Sequence, residues 1–188
     1  GSATRPDVAG RVLDDIAIEM GCSRVEAATR LLPAGAVFFA MDEEDVRRIL
    51  AYPHTMVGSD GLPNDSHPHP RLWGTFPRVL GHYVRETALF SLEEAVRRMT
   101  SLPAAWFGLI DRGVVRPGAF ADLVLFDPQT VIDRATFEDP SHPAAGIKVV
   151  MVNGTVVWRD GGSTGARPGR ALRRQQLGAL GKEPFPGQ

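Results

Sequence analysis

The sequence predicts an α/β fold, and three observations carry the prediction. Two short, continuous apolar runs at residues 36–40 and 55–57 each precede a segment with helical periodicity, the rhythm of parallel βα units. Ser23 with Glu26, and Ser91 with Glu94, have the three-residue spacing of capping boxes that open helices. From Gly113 onward the pattern changes to short apolar strands separated by turn dipeptides, which reads as a small antiparallel β unit. Residues 1–110 therefore read as one region, 111–160 as a second, and 161–188 as a tail rich in Gly, Pro and Arg.

Val12, Ile16 and Met20 recur at helical spacing, and Gly21 stops that helix. Ser23 opens the next, whose expected apolar face is Ala27, Ala28, Leu31 and Leu32. The run at 36–40 (Ala-Val-Phe-Phe-Ala) has the composition of a strand buried on both sides. Residues 42–52 carry acidic groups in the first turn and arginines toward the end, matching the helix dipole. Thr55, Met56 and Val57 form a second buried strand running into Gly58-Ser59-Asp60-Gly61. A long loop from Leu62 to Phe76 follows, then a helix bearing Val79, Leu80, Tyr83 and Val84, then the helix opened by Ser91. Strands are expected at 113–115, 122–126, 147–152 and 155–158, with Asn153-Gly154 as the strongest hairpin signal. Two βα units cannot close a barrel, and an isolated pair of parallel strands leaves open edges, so either the sheet is completed from another chain or the fold is of a different kind.

A net charge of −1 gives no electrostatic reason to expect nucleic acid or an anionic membrane as partner. The arginines at 167, 170, 173 and 174 make the tail locally basic, as a solvated terminus often is. No apolar run reaches bilayer length, and residues 1–6 lack the layout of a secretory signal. The single cysteine, Cys22, excludes an internal disulfide framework and points to a cytoplasmic setting and a structural role.

Asp60 is the most informative candidate. An aspartate at the end of a buried parallel strand sits where barrel enzymes place catalytic groups, although Asp before Gly is also a common turn. His69 and Arg71 follow in the loop Pro68-His69-Pro70-Arg71. The planar donor fork of Arg71 suits a substrate carboxylate, and equally a structural ion pair or a clamp on Asp65. His67 and His69 are two residues apart, but tetrahedral zinc needs three or four ligands and no third is near in sequence. A surface position, or a supporting role for His69, is the expectation. His54, His82 and His142 belong to no constellation.

The motifs taken in order resemble a known family. Residues 55–61, then His69-Pro70-Arg71, Trp73-Gly74-Thr75-Phe76 and Arg78-Val79-Leu80-Gly81, are similar to the N-acyl-D-amino-acid deacylases. So are Glu94-Ala95-Val96, residues 99–104, Ala121-Asp122-Leu123-Val124, Phe126-Asp127-Pro128 and Val152-Asn153-Gly154, and the likeness runs from about residue 10 to 175. The resemblance implies the C-terminal portion of a (β/α)8 metal-hydrolase barrel plus the C-terminal share of a small antiparallel β-sandwich. It implies a zinc-dependent hydrolase that cleaves N-acyl-D-amino acids, active only together with the preceding barrel segment. Asp60 would be the general acid/base, close to or weakly ligating the metal, and Arg71 with His69 would bind substrate. The main zinc ligands would come from earlier strands, and Cys22 lies too late in the chain to be one. A cyclic-amide hydrolase of the same superfamily and a non-catalytic binding module are the alternatives.

Overall fold

The computed structural model describes residues 1–62 and 67–173 of the chain. After a 3-10 turn at Pro6–Val8 come two short helices, α1 (Leu13–Glu19) and α2 (Arg24–Arg30), with Cys22 in the turn between them. The capping box forms as expected: Ser23 Oγ accepts from the Glu26 N–H, and Glu26 reaches back to the Ser23 N–H. Val8, Ile16 and Leu31 bury together, with Leu13 and Met20 against them. Only Ala27 and Leu31 of the expected α2 face are buried; Ala28 and Leu32 are exposed.

Helix α3 (Glu43–Ala51) is capped by the Asp42 side chain, as its acidic first turn predicts. The flanking runs behave differently from expectation. Residues 36–40 make no ladder among the described residues, and Phe38 and Phe39 are 83% and 81% exposed. Residues 55–57 are half-buried and also join no ladder. A strand requires a neighbouring edge, and the one sheet described lies at the other end of the chain.

Helix α4 (Arg71–Arg78) begins inside the segment expected to be a loop through Phe76. Gly74, Thr75 and Pro77 are poor helix formers, which concealed it. The fixed φ of Pro70 starts the helix and Thr75 Oγ1 donates back to the Arg71 carbonyl at 2.7 Å. Pro77 cannot donate to the turn before it, and from Val79 the helix widens into a π-helical stretch, Val79–Glu86. Helices α5 (Leu92–Met99) and α6 (Ser101–Phe107) follow. Ser91 caps α5, but the Glu94 carboxylate turns to Arg97 and Arg98.

The sheet is antiparallel in the order β1 (Leu123–Phe126), β2 (Ile147–Val152), β3 (Thr155–Arg159) and β4 (Gly162–Ser163). Asn153 and Gly154 both take positive φ, 48° and 79°, as the tight hairpin turn requires. Asp160-Gly161 repeats the device and turns the start of the tail into β4. Residues 113–115, expected as a strand, join no ladder; 113 and 114 form a bend and 115 is irregular. Arg112 and Arg170 both stack on the Phe120 ring, at 4.4 and 4.5 Å, and Asn153 Nδ2 donates to the Pro168 carbonyl, so residues 164–170 return to the sheet. Arg174 and the end of the tail lie outside the described residues.

One core joins helices and sheet. Val79, Leu80, Tyr83, Ala95 and Val131 are buried together, with Val57, Phe126 and Ile147 packed against them. The molecule thus shows α/β content with a small antiparallel sheet. Among the described residues no helix is long and apolar enough to cross a membrane.

Candidate active site

The approach to Asp60 is built on a buried arginine. Arg98, 3% exposed, donates from Nη1 to the carbonyls of Leu50 and Tyr52, the latter at 2.8 Å, and pairs through Nε with Glu94 at 2.7 Å. Its guanidinium stacks on Phe90 at 5.0 Å. A buried charge persists only when its donors are satisfied, and here they close the end of α3. The Arg98 carbonyl accepts from the Val57 N–H at 3.2 Å, aligning the segment that leads to Asp60. Glu94 is held down to about 2, first by the hydrogen bond from Arg97 and then by that from Arg98.

Asp60 itself is exposed and meets Arg71 eleven residues on. Arg71 Nη2 donates to Asp60 Oδ2 at 2.5 Å, and Arg71 Nε donates to the Asp60 carbonyl at 3.1 Å. The Arg71 N–H donates to His69 Nδ1 at 3.0 Å. Burial, then the neighbouring Arg71 charge, lower the pKa of His69, which suits a neutral ring with its Nδ1 lone pair on that amide. The three residues singled out from the sequence therefore meet in one place. Asp65, the other expected partner for Arg71, lies outside the described residues.

Two aromatic residues complete the surroundings and were not foreseen. Phe137 presents its ring edge-on to His69 at 5.2 Å and to Phe39 at 4.9 Å, and its carbonyl accepts from His67 Nε2 at 2.6 Å. Phe137 is 66 residues from Arg71, and no local pattern announces such a contact. Phe39 falls in the run read as a buried strand, so its place beside the site was hidden by that reading. His82 pairs with Glu86 and His142 with Asp139; neither joins the site.

Chemically, the site offers an exposed carboxylate, a guanidinium fork and a neutral imidazole. Among the described residues no three His, Cys, Asp or Glu side chains come together as a metal site. Asp60 alone, with its side chain 74% exposed, supplies one oxygen ligand where zinc needs three or four.

Comparison with known proteins decides the family. The amidohydrolase family model matches residues 8–158. The chain belongs to the amidohydrolase family. Within the family this amidohydrolase chain is 59% identical over 169 residues to a D-aminoacylase of Alcaligenes xylosoxydans xylosoxydans, covering 90% of the chain and 35% of that protein. It is 57% identical over 173 residues to an N-acyl-D-glutamate deacylase of the same organism, covering 92% and 35%. The solved structure of an N-acyl-D-glutamate deacylase from Bordetella bronchiseptica, complexed with zinc and a phosphonate mimic of the tetrahedral intermediate, superimposes with a TM-score of 0.85. That pair shares 56% identity over 92% of this amidohydrolase chain and 36% of the other. The chain thus spans about a third of the length of the relatives it matches.

Proposed function

We propose that this chain contributes the closing part of a zinc-dependent N-acyl-D-amino-acid deacylase and works with a barrel segment that lies outside it. The single observation that supports this most is the Asp60–Arg71 pair, a proton-accepting carboxylate and a carboxylate-binding fork in direct contact. In this reading residues 1–110 are the last two βα units of a (β/α)8 barrel, 111–160 a share of a β-sandwich, and 161–188 its tail. The exposed run at 36–40 and the half-buried run at 55–57 are then barrel strands whose neighbours come from the segment outside this chain. Zinc, held by ligands on that segment, would polarise the amide carbonyl. Asp60 is too exposed and too isolated among donors to hold it alone.

The chain's own residues account for the remaining steps. Asp60 accepts the proton of the attacking water as its oxygen adds to the acyl carbon. It returns that proton to the amide nitrogen as the C–N bond breaks, releasing a carboxylate and a free D-amino acid. Arg71 holds the α-carboxylate and so fixes which face of the α-carbon is presented. A substrate carboxylate competes with Asp60 for the same fork, so substrate binding releases the aspartate for proton transfer.

Native mass spectrometry of the purified material, with metal content read from the same sample, tests the assembly. A second polypeptide of roughly 250 residues or more, enough to complete a barrel, should travel with the chain together with zinc. A folded, metal-free monomer would overturn the reading for this molecule. In the assembled enzyme, Asp60→Asn should nearly abolish hydrolysis of N-acyl-D-amino acids while zinc stays bound. Turnover close to normal would remove Asp60 as the proton carrier.

A further inference from the structure

One residue engages both histidines of the His67-Pro68-His69-Pro70-Arg71 segment. The Phe137 carbonyl accepts from His67 Nε2 at 2.6 Å, and the Phe137 ring packs edge-on against His69 at 5.2 Å. His69 in turn accepts the Arg71 N–H at 3.0 Å. The line of contact runs Phe137, His69, Arg71; it reaches Arg71 at the backbone N–H that opens α4, and the guanidinium of the same residue meets Asp60.

The loop that carries Phe137 is tied to the core and to the α4–π helix. Val131, fully buried, anchors the base of its loop in the core, and Ile132 pairs with Ala145 across an isolated bridge. Arg85 Nη1 donates to the Val131 carbonyl at 2.6 Å, and Arg78 pairs with Asp133 at 3.4 Å. The loop crosses the α4–π helix at two glycines. A Cβ on Gly81 would come within 2.4 Å of Ile132 Cδ1 and 2.5 Å of the Val131 carbonyl oxygen, and one on Gly74 within 3.0 Å of Asp133 Cβ. At the tip, Thr136 Oγ1 accepts from the N–H groups of Glu138 and Asp139, which sets the backbone that presents Phe137. The same helix whose first residue is Arg71 therefore also carries the loop that braces Arg71.

We propose that Phe137 is a positioning residue for Arg71, acting through His69 to set where the substrate carboxylate is held. The inference rests on the reading of Arg71 as that carboxylate's anchor. Removing the ring lets His69 and the start of α4 shift without deleting any group that touches substrate. A misplacement of about 1 Å, even from a change remote from the reacting atoms, can cost up to about 100-fold.

Kinetics of the assembled enzyme on an N-acyl-D-amino acid and on its uncharged α-carboxamide test the proposal. Arg71→Ala should raise KM for the acid roughly 100-fold, the loss of a charge-assisted pair. Phe137→Ala should raise it about tenfold, leave kcat within about twofold, and leave KM for the carboxamide unchanged. Phe137→Tyr, which keeps the ring edge on His69, should restore the KM for the acid. In the Arg71→Ala background Phe137→Ala should add nothing. If Phe137→Ala fails to fold, Phe137→Leu, which keeps apolar bulk without the ring edge, gives the same reading. An unchanged KM in Arg71→Ala overturns the anchor assignment. A raised KM there, with Phe137→Ala silent, additive, or equally damaging to the carboxamide, overturns the positioning role alone.

Discussion

Residues 147–159 and residues 36–57 both carry apolar, strand-like runs, and they end in different states. In the first, β2 pairs with β1 and β3, and the turn that joins β2 to β3 has the positive φ angles its Asn-Gly sequence favours. In the second, 36–40 and 55–57 have no ladder partner among the described residues; Phe38 is largely exposed, and so is Phe39 apart from its contact with Phe137. A hairpin brings its own edge across two residues, whereas a parallel strand must find an edge far away in the chain. Apolar composition predicts a strand in both regions, and among the described residues only the short-range pairing forms. The half-buried stretch at 55–57 lies between these extremes, because Arg98 and the core hold it from one side.

The largest effect on the second region is expected at Arg98. Arg98→Met should destabilise the chain by about 3 kcal/mol, since it leaves the Leu50 and Tyr52 carbonyls without their donor. Urea denaturation followed by tryptophan fluorescence measures it, and hydrogen exchange should rise first around residues 50–60. A cost near zero would mean that the second region needs no such brace. In the sheet, Gly154→Ala places a Cβ at φ 79° and should cost about 1–2 kcal/mol. Faster exchange should then be confined to β2 and β3.

Smaller effects sharpen the contrast. Glu94 is held well below its usual range, to about 2, so its partnership with Arg97 and Arg98 stabilises the fold above pH 4.5. That contribution fades as pH falls from 4.5 toward 2. Because the Glu94–Arg97 side of the cluster is partly solvated, the loss should be about 1 kcal/mol. Denaturation midpoints of Glu94→Gln should show a flatter pH dependence over that window. The smallest effect is expected at Phe38→Ser, within about 0.5 kcal/mol. A cost several times larger would show that residues 36–40 are packed in solution.

What the sequence determined by itself was local. The Ser23 and Ser91 caps, the acidic start of α3, the stop at Gly21 and the Asn153-Gly154 hairpin rest on contacts within a few residues, where residue type nearly dictates geometry. Asp60, His69 and Arg71 were singled out by residue type and motif, and the structure brings the three into contact. Helix α4 was misplaced because Gly74, Thr75 and Pro77 argue against a helix that packing nonetheless forms. The strand expected at 113–115 failed because composition without a partner edge makes no ladder. Long-range packing turns Arg71 to Asp60, buries Arg98 beneath the approach, and brings Phe137 back to His67 and His69. These contacts span from 11 to 70 residues, and their energy comes from burial and charge pairing that exist only once distant segments share a core.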